Sequence, residues 1–345
     1  MRQLAAIATV AAFASVITGC GGPLKGDAPV PTGSTTGGGT VTAATQPNID
    51  PVKPSIPRAD VMKALISGAR EASSKGVTIH AAVASGQWQS AAQVDGQEPL
   101  RMWSTAKVLT AVAAMRAAAE STKPPQKDLK SSIDGALQRS ENCRQRNVVL
   151  WLQQMSGGPA EAADAMRAEI DTAGASGAKL PETPAPVPDD CVAFLKTSGV
   201  SDPLGPALQM GTATWSPVAG SQFALALAAG ELGTPGDKIY KVMQHPKMLS
   251  RETVDQSGYT ADVNWGAGIA MTNLRPAYKA GWGGTEQHDF IAGQIVALRT
   301  ASGSYGISVF GTPDAQPTAD DPGLTAIPDA VEAVLRRLAV VLGRE

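Results

Sequence analysis

The sequence predicts an α+β fold: an antiparallel sheet flanked by N- and C-terminal helices, with an all-helical lobe inserted between its early and late strands. Three observations point there. Strand-like runs lie near both ends of the domain, "VTIHAAVA" at 77–84 and the pair "DFIAGQIVALRT" and "YGISVFGT" at 289–300 and 305–312. Between them, to about residue 249, the apolar residues recur with helical spacing, broken by Pro and Gly. An amphipathic segment, "DAVEAVLRRLAVVLG", follows Pro328 and closes the chain.

Taken in order, residues 60–73 predict the first helix, with Val61, Ala64, Leu65 and Ala69 on one face and "SSKG" ending it. Residues 77–84 and 90–96 predict two strands joined by a Gly-containing turn. A second helix opens at Ser104. In the lobe, 146–155 and 222–229 carry the clearest apolar faces. The late strands are separated by "ASGS", a hairpin signal. No internal repeat is present.

At 345 residues, with a formal net charge of −2 and 4% aromatic residues, the chain is long enough for one large or two small domains with a proper core. No basic stripe appears and the charges are scattered singly, which argues against a nucleic-acid partner. His80, His245 and His288 are too few and too far apart for a zinc signature, so they read as surface or core residues. No metal or other cofactor is expected.

Residues 1–19 read as an export leader: Arg2, an apolar run at 4–16 too short to span a bilayer, then "ITGC". The tetrapeptide resembles the bacterial lipobox, which implies a diacylated Cys20 as the first mature residue and a lipid anchor on the extracytoplasmic face of the cell membrane. An ordinary signal peptide with an incidental cysteine is the alternative; the spacing and the flanking Gly21 and Gly22 favour the lipobox. Residues 20–57 are Gly, Pro, Ser and Thr with almost no large apolar residue, a tether that as flexible coil spans roughly 30 Å. The domain then occupies 58–345. In an oxidising compartment Cys143 and Cys191 either pair as a disulfide or remain two buried thiols.

The chemistry begins with "RMWSTAKVLTAVAAM". Lys107 stands in an otherwise apolar helix, three residues after Ser104, so the two side chains share a face. A lysine held without water beside a hydroxyl favours its neutral form and becomes a base for activating that hydroxyl; a lysine snorkelling from a helix end gives the same tetrapeptide. The pattern recurs as "SGAK" at Ser176–Lys179, with no apolar helix after it. What separates the two is order. "SENC" supplies Ser140-x-Asn142 and "KAGWGG" supplies Lys279-x-Gly281 just before the late strands.

Ser-x-x-Lys, Ser-x-Asn and Lys-x-Gly in that order resemble the penicillin-recognising serine hydrolases, the class A β-lactamases and D-alanyl-D-alanine peptidases, over roughly residues 61–345. "GTATWSPVAG" and "WGAG" fit the same resemblance. It implies the β-lactamase/transpeptidase-like fold and an enzyme acylated by a β-lactam or a peptidoglycan-derived amide or ester. Ser104 would be the nucleophile, Lys107 its proton acceptor and Ser140 the relay to the leaving nitrogen. Asn142, Lys279, Gly281 and Trp282 would bind substrate, with the N–H groups of Ser104 and Trp282 as the oxyanion hole. Neither cofactor nor second subunit is implied; a monomer is expected.

The sequence also departs from the family. Ala280 stands where a Thr or Ser normally helps bind the substrate carboxylate, Glu141 replaces an aspartate, and the Ser104 to Ser140 spacing is short. No Glu-x-x-Leu-Asn pattern supplies a deacylating base; Glu182, in "LPETP", lies at about the right place between prolines. Slow deacylation is therefore expected. A catalytically degenerate scaffold or binding lipoprotein is the rival from another class. A two-lobed solute-binding lipoprotein would need repeated strand-helix units that the sequence lacks. Trp265 and Trp282 beside glycines either line a cleft or pack, and Gly266, Gly268, Gly281 and Gly283 read as permitting close strand approach rather than phosphate binding, since no helix is expected after them.

Overall fold

The computed structural model describes residues 56–122, 127–180, 213–246, 266–283, 290–315 and 323–344, with side chains from 326 in the last segment. All belong to one compact unit, Asp50–Glu345.

Helix α1 (Arg58–Ser73) leads into β1 (Val77–Ser85) and β2 (Ala92–Val94). After β3 (Leu100–Arg101) and a 3-10 turn (Trp103–Thr105) come α2 (Ala106–Glu120), α3 (Leu129–Gln138), α4 (Asn142–Ser156) and α5 (Pro159–Thr172). Next are β4 (Ala178–Lys179), β5 (Thr214–Trp215), α6 (Pro217–Ala229), α7 (Gly233–Met243) and the four-residue α8 (Ala267–Ala270). The chain ends with β6 (Ala277–Gly283), β7 (Ile291–Thr300), β8 (Gly303–Pro313) and α9 (Gly323–Leu342).

The main sheet has five strands in the order β2-β1-β8-β7-β6, all antiparallel. As expected, the late strands complete what the early ones begin: β8 pairs with β1 from Val77↔Pro313 to Ser85↔Tyr305. Strands β7 and β8 are buried on both faces, and the side-chain period of two divides their residues between two cores. Ile291, Ile295, Ala297 and Phe310 face α6 and the helical lobe, whereas Ala292, Val296, Leu298, Tyr305, Ile307 and Val309 face α1 and α9. Helix α9 meets that face with Ile327, Val331, Val334, Leu338 and Leu342, an i, i+3, i+4 series.

Helix α6 begins within the "GTATWSPVAG" segment: the Ser216 hydroxyl accepts from Ala219 N–H at 3.2 Å, and Pro217 takes the first helical position. It presses so close to β8 that a Cβ on Gly306 would lie 1.9 Å from the Ser221 carbonyl oxygen. In the lobe, α2 is buried from Ala106 through Ala114, and α3, α4, α5 and α7 surround it. A helix apolar all round is a core helix, and its alanines let its neighbours approach.

Two expectations are corrected. The last helix starts before Pro328, at Gly323, and carries the proline inside it; the ring removes the backbone bond to the carbonyl four residues back, and the helix continues past it to Leu342. A short helix, α8, does open after Gly266, whose φ of +70° makes the entry turn. The small sheet β3-β5-β4 was not anticipated; two-residue strands leave no periodicity to read.

Candidate active site

Lys107 is fully buried at the start of α2. Its Nζ donates to the Ser140 carbonyl oxygen at 2.6 Å, to Asn142 Oδ1 at 2.8 Å and to Ser140 Oγ at 3.2 Å. Lys279 comes from the edge strand β6 with only 1% exposure, and its Nζ donates to Ser140 Oγ at 2.9 Å and to the Ala280 carbonyl at 2.6 Å. The three sequence motifs therefore meet at one hydroxyl, which accepts from both lysines.

Each side chain is set by local backbone. Ser140 occupies the turn between α3 and α4 with φ +56°, a left-handed conformation that a non-glycine residue adopts only when its surroundings hold it there. The hold is visible: the Gly135 carbonyl accepts from both Arg139 N–H and Glu141 N–H at 3.2 Å. Arg139 Nε also meets Glu141 Oε1 at 2.5 Å, and Arg144 approaches the other carboxylate oxygen at 3.6 Å. Cys143, next to Asn142, is disulfide-bonded.

Ser104 sits in the 3-10 turn that leads into α2, one residue before the turn ends, and is half-buried. Its hydroxyl has no protein hydrogen bond among the described residues, and it precedes Lys107 by three residues on the same face. Trp103, immediately before it, has φ +45°. Strand β6 braces this turn. Lys279, Gly281 and Gly283 alternate toward it, and a Cβ on Gly281 would lie 2.9 Å from Thr105 N, one on Gly283 2.4 Å from the Trp103 ring. The glycines permit close approach, as the sequence suggests. Ala280 and Trp282 point the other way, into the core shared with α1 and α9, where Trp282 packs on Phe290 at 6.0 Å between ring centroids.

The electrostatics follow from burial. Desolvation drives the Lys107 pKa well below its usual value, the neighbouring Lys279 pushes the same way, and Glu141 partly opposes them. Burial lowers Lys279 to about 7. All three Lys107 contacts can be donated only by the ammonium form; a neutral Lys107 would spend its two hydrogens on the Ser140 carbonyl and Asn142 Oδ1, the shorter contacts, and turn its lone pair toward the Ser140 hydroxyl at 3.2 Å. The arrangement is thus a buried amine biased toward its neutral form, bonded to the Ser140 hydroxyl and three residues along the chain from Ser104.

Cys20, Glu182, Cys191 and Trp265 lie outside the described residues. Among the described residues no group of three or more His, Cys, Asp or Glu side chains is placed to hold a metal ion, and no helix is long and apolar enough to cross a membrane. Sequence reasoning missed the Arg139–Glu141 clamp, although two opposite charges flanking Ser140 were there to be read. It also missed the direct Lys279–Ser140 bond, which joins residues 139 positions apart and leaves no local signal.

No protein-family model and no curated protein matches this sequence. Solved structures do resemble the fold. A β-lactamase from Streptosporangium roseum superimposes with a TM-score of 0.54 at 15% identity, over 81% of this chain and 98% of that one. A β-lactamase from Sphaerobacter thermophilus DSM 20745 gives 0.52 at 14%, over 80% and 95%. A class A β-lactamase from Bacteroides cellulosilyticus DSM 14838 gives 0.51 at 14%, over 82% and 98%. At such identities the likeness concerns architecture, and the chain has the β-lactamase fold, mixed helix and antiparallel sheet, as the motif order predicts.

Proposed function

We propose that this protein is a serine hydrolase acylated at Ser104 by a β-lactam or a peptidoglycan-like amide or ester, anchored by lipid at Cys20 to the outer face of the cell membrane, and acting as a monomer. The observation that carries this reading is the hydrogen-bonded group Lys107, Ser140, Asn142 and Lys279, with every bond at 3.2 Å or less, one helical turn from Ser104.

The chemistry such a group supports is acyl transfer. Neutral Lys107 takes the Ser104 proton as Oγ bonds to the carbonyl carbon, and the negative charge on the former carbonyl oxygen is met by the N–H groups of Ser104 and Trp282. The C–N bond breaks as Ser140 gives its proton to the departing nitrogen, and Ser140 is reprotonated from Lys107. Asn142 orients Lys107 and the substrate amide. Lys279 draws the substrate carboxylate and lowers the cost of charge on Ser140.

A second reading rests on Ala280. Its side chain is turned into the α1/α9 core, so β6 offers no hydroxyl at that position, and a scaffold or binding lipoprotein that has lost the reaction remains the rival. A fluorescent penicillin separates the two. The hydrolase reading expects covalent labelling that vanishes in Ser104→Ala; equal labelling of both proteins, or none of either, contradicts it.

A further inference from the structure

Gln145 is a polar side chain that acyl transfer to Ser104 does not use. It is fully buried, and among the described residues neither Oε1 nor Nε2 has a hydrogen-bond partner. A primary amide carries two N–H donors and an acceptor, and burying it bare is unfavourable unless water or a ligand meets it. Its position is informative. Gln145 follows Asn142 by three residues on α4, so the two share a face with Cβ atoms about 5–6 Å apart. Asn142 is bonded to Lys107, and α4 packs on α2. Across the Ser140 turn, α3 contributes Ser132, 1% exposed and with its hydroxyl also unpartnered among the described residues.

A second observation concerns the acid that is not free. Glu141 is the carboxylate whose charge reaches Lys107, and it is clamped by Arg139 at 2.5 Å and approached by Arg144 at 3.6 Å. It is not placed to activate water. An ester at Ser104 nevertheless needs one water held near Lys107 if it is to be cleared.

We infer that Gln145 is the positioning residue for the hydrolytic water: its amide holds a buried water one helical turn behind Asn142, and that water cleaves the Ser104 ester. The inference rests on the proposed acylation of Ser104 and deepens it. In the step, the water oxygen bonds to the ester carbonyl carbon while one of its protons passes to neutral Lys107. The bond to Ser104 Oγ then breaks and Lys107 returns the proton to the serine, so one water is consumed and a carboxylic acid leaves. Gln145 exchanges no proton; it accepts from the water through Oε1 or donates to it through Nε2.

The test is intact-mass kinetics of the full-length protein with benzylpenicillin, following both appearance and decay of the adduct. In Gln145→Met, which keeps the side-chain shape, the adduct should outlive that of the wild type at least tenfold while its formation slows less than threefold. Gln145→Glu, which keeps a water acceptor, should restore decay to within threefold. An adduct in Gln145→Met that decays at the wild-type rate overturns the inference and leaves acylation standing. No adduct on the wild type overturns the acylation reading and this inference with it. Independently, a crystal structure should show an ordered water within hydrogen-bond distance of the Gln145 amide, and an amide without one overturns the inference whatever the kinetics.

Discussion

Lys279, on the last strand of the sheet, donates to the hydroxyl of Ser140, at the tip of the helical lobe, across 2.9 Å. That bond ties the two halves of the molecule together at the point where Lys107 also arrives. It makes Ser140 the shared acceptor of two buried amines, and the chemistry proposed at Ser104 depends on it.

Ser140 is therefore expected to matter twice. Replacing it by Ala removes the hydroxyl and keeps a Cβ at φ +56°. Replacing it by Gly removes the hydroxyl and relieves the left-handed backbone. Acylation should fall by about 10²-fold or more in both, as for loss of a positioned proton donor. Ser140→Gly should be more stable than Ser140→Ala, by about 1 kcal/mol in denaturant titration. Equal stability would mean the turn is not held as described.

The buried lysines make stability depend on pH, with a definite sign. In the unfolded chain Lys279 titrates near its ordinary 10.5; in the folded protein burial lowers it to about 7. Above 10.5 both states are neutral and nothing is lost. As pH falls from 10.5 toward 7 the unfolded chain takes up a proton that the folded state refuses, so stability declines, and below that window this contribution is constant. Lys107, also lowered by burial, adds the same sign. The melting temperature should rise between about pH 7 and 10, and Lys279→Met should flatten the slope.

Gly281 separates geometry from fold. A Cβ there would meet backbone atoms of Thr105 and Met102 at 2.9 and 3.0 Å. Gly281→Ala should push β6 off the turn that presents Ser104, and a displacement approaching about 1 Å at a reacting group costs on the order of 10²-fold in rate. The check is acylation rate beside melting temperature: the rate should drop far more than the stability does.

Arg116 and Glu169 tie α2 to α5. Glu169 is 1% exposed and takes both arms of the guanidinium, the second at 2.9 Å, while Arg116 also donates to the Leu232 carbonyl at 3.0 Å. Arg116→Met strands a buried carboxylate and should cost about 3–5 kcal/mol in urea unfolding. Arg116→Met combined with Glu169→Leu should recover most of it, because no uncompensated charge then remains.

Much of the candidate site's geometry was legible in the chain. The meeting of Lys107, Ser140, Asn142 and Lys279 was readable because their motifs are short, ordered and embedded in segments of clear helical or strand period. The late hairpin was readable from "ASGS" between two β-rich runs. What stayed hidden has physical reasons. The left-handed Trp103 and Ser140 contradict the propensities of their residue types and exist because β6 and the Gly135 carbonyl hold them. Gln145 resembles any surface glutamine on a mixed helix until packing buries it. Pro328 reads as a helix start, and the helix runs through it.

The most direct test of the central claim is the mass of the intact protein after incubation with benzylpenicillin, followed by peptide mapping. The account predicts an increase equal to one whole penicillin molecule, as ring opening adds all atoms, located on the peptide containing Ser104 and absent from Ser104→Ala. An unmodified wild-type protein, or an adduct on any other residue, would contradict it.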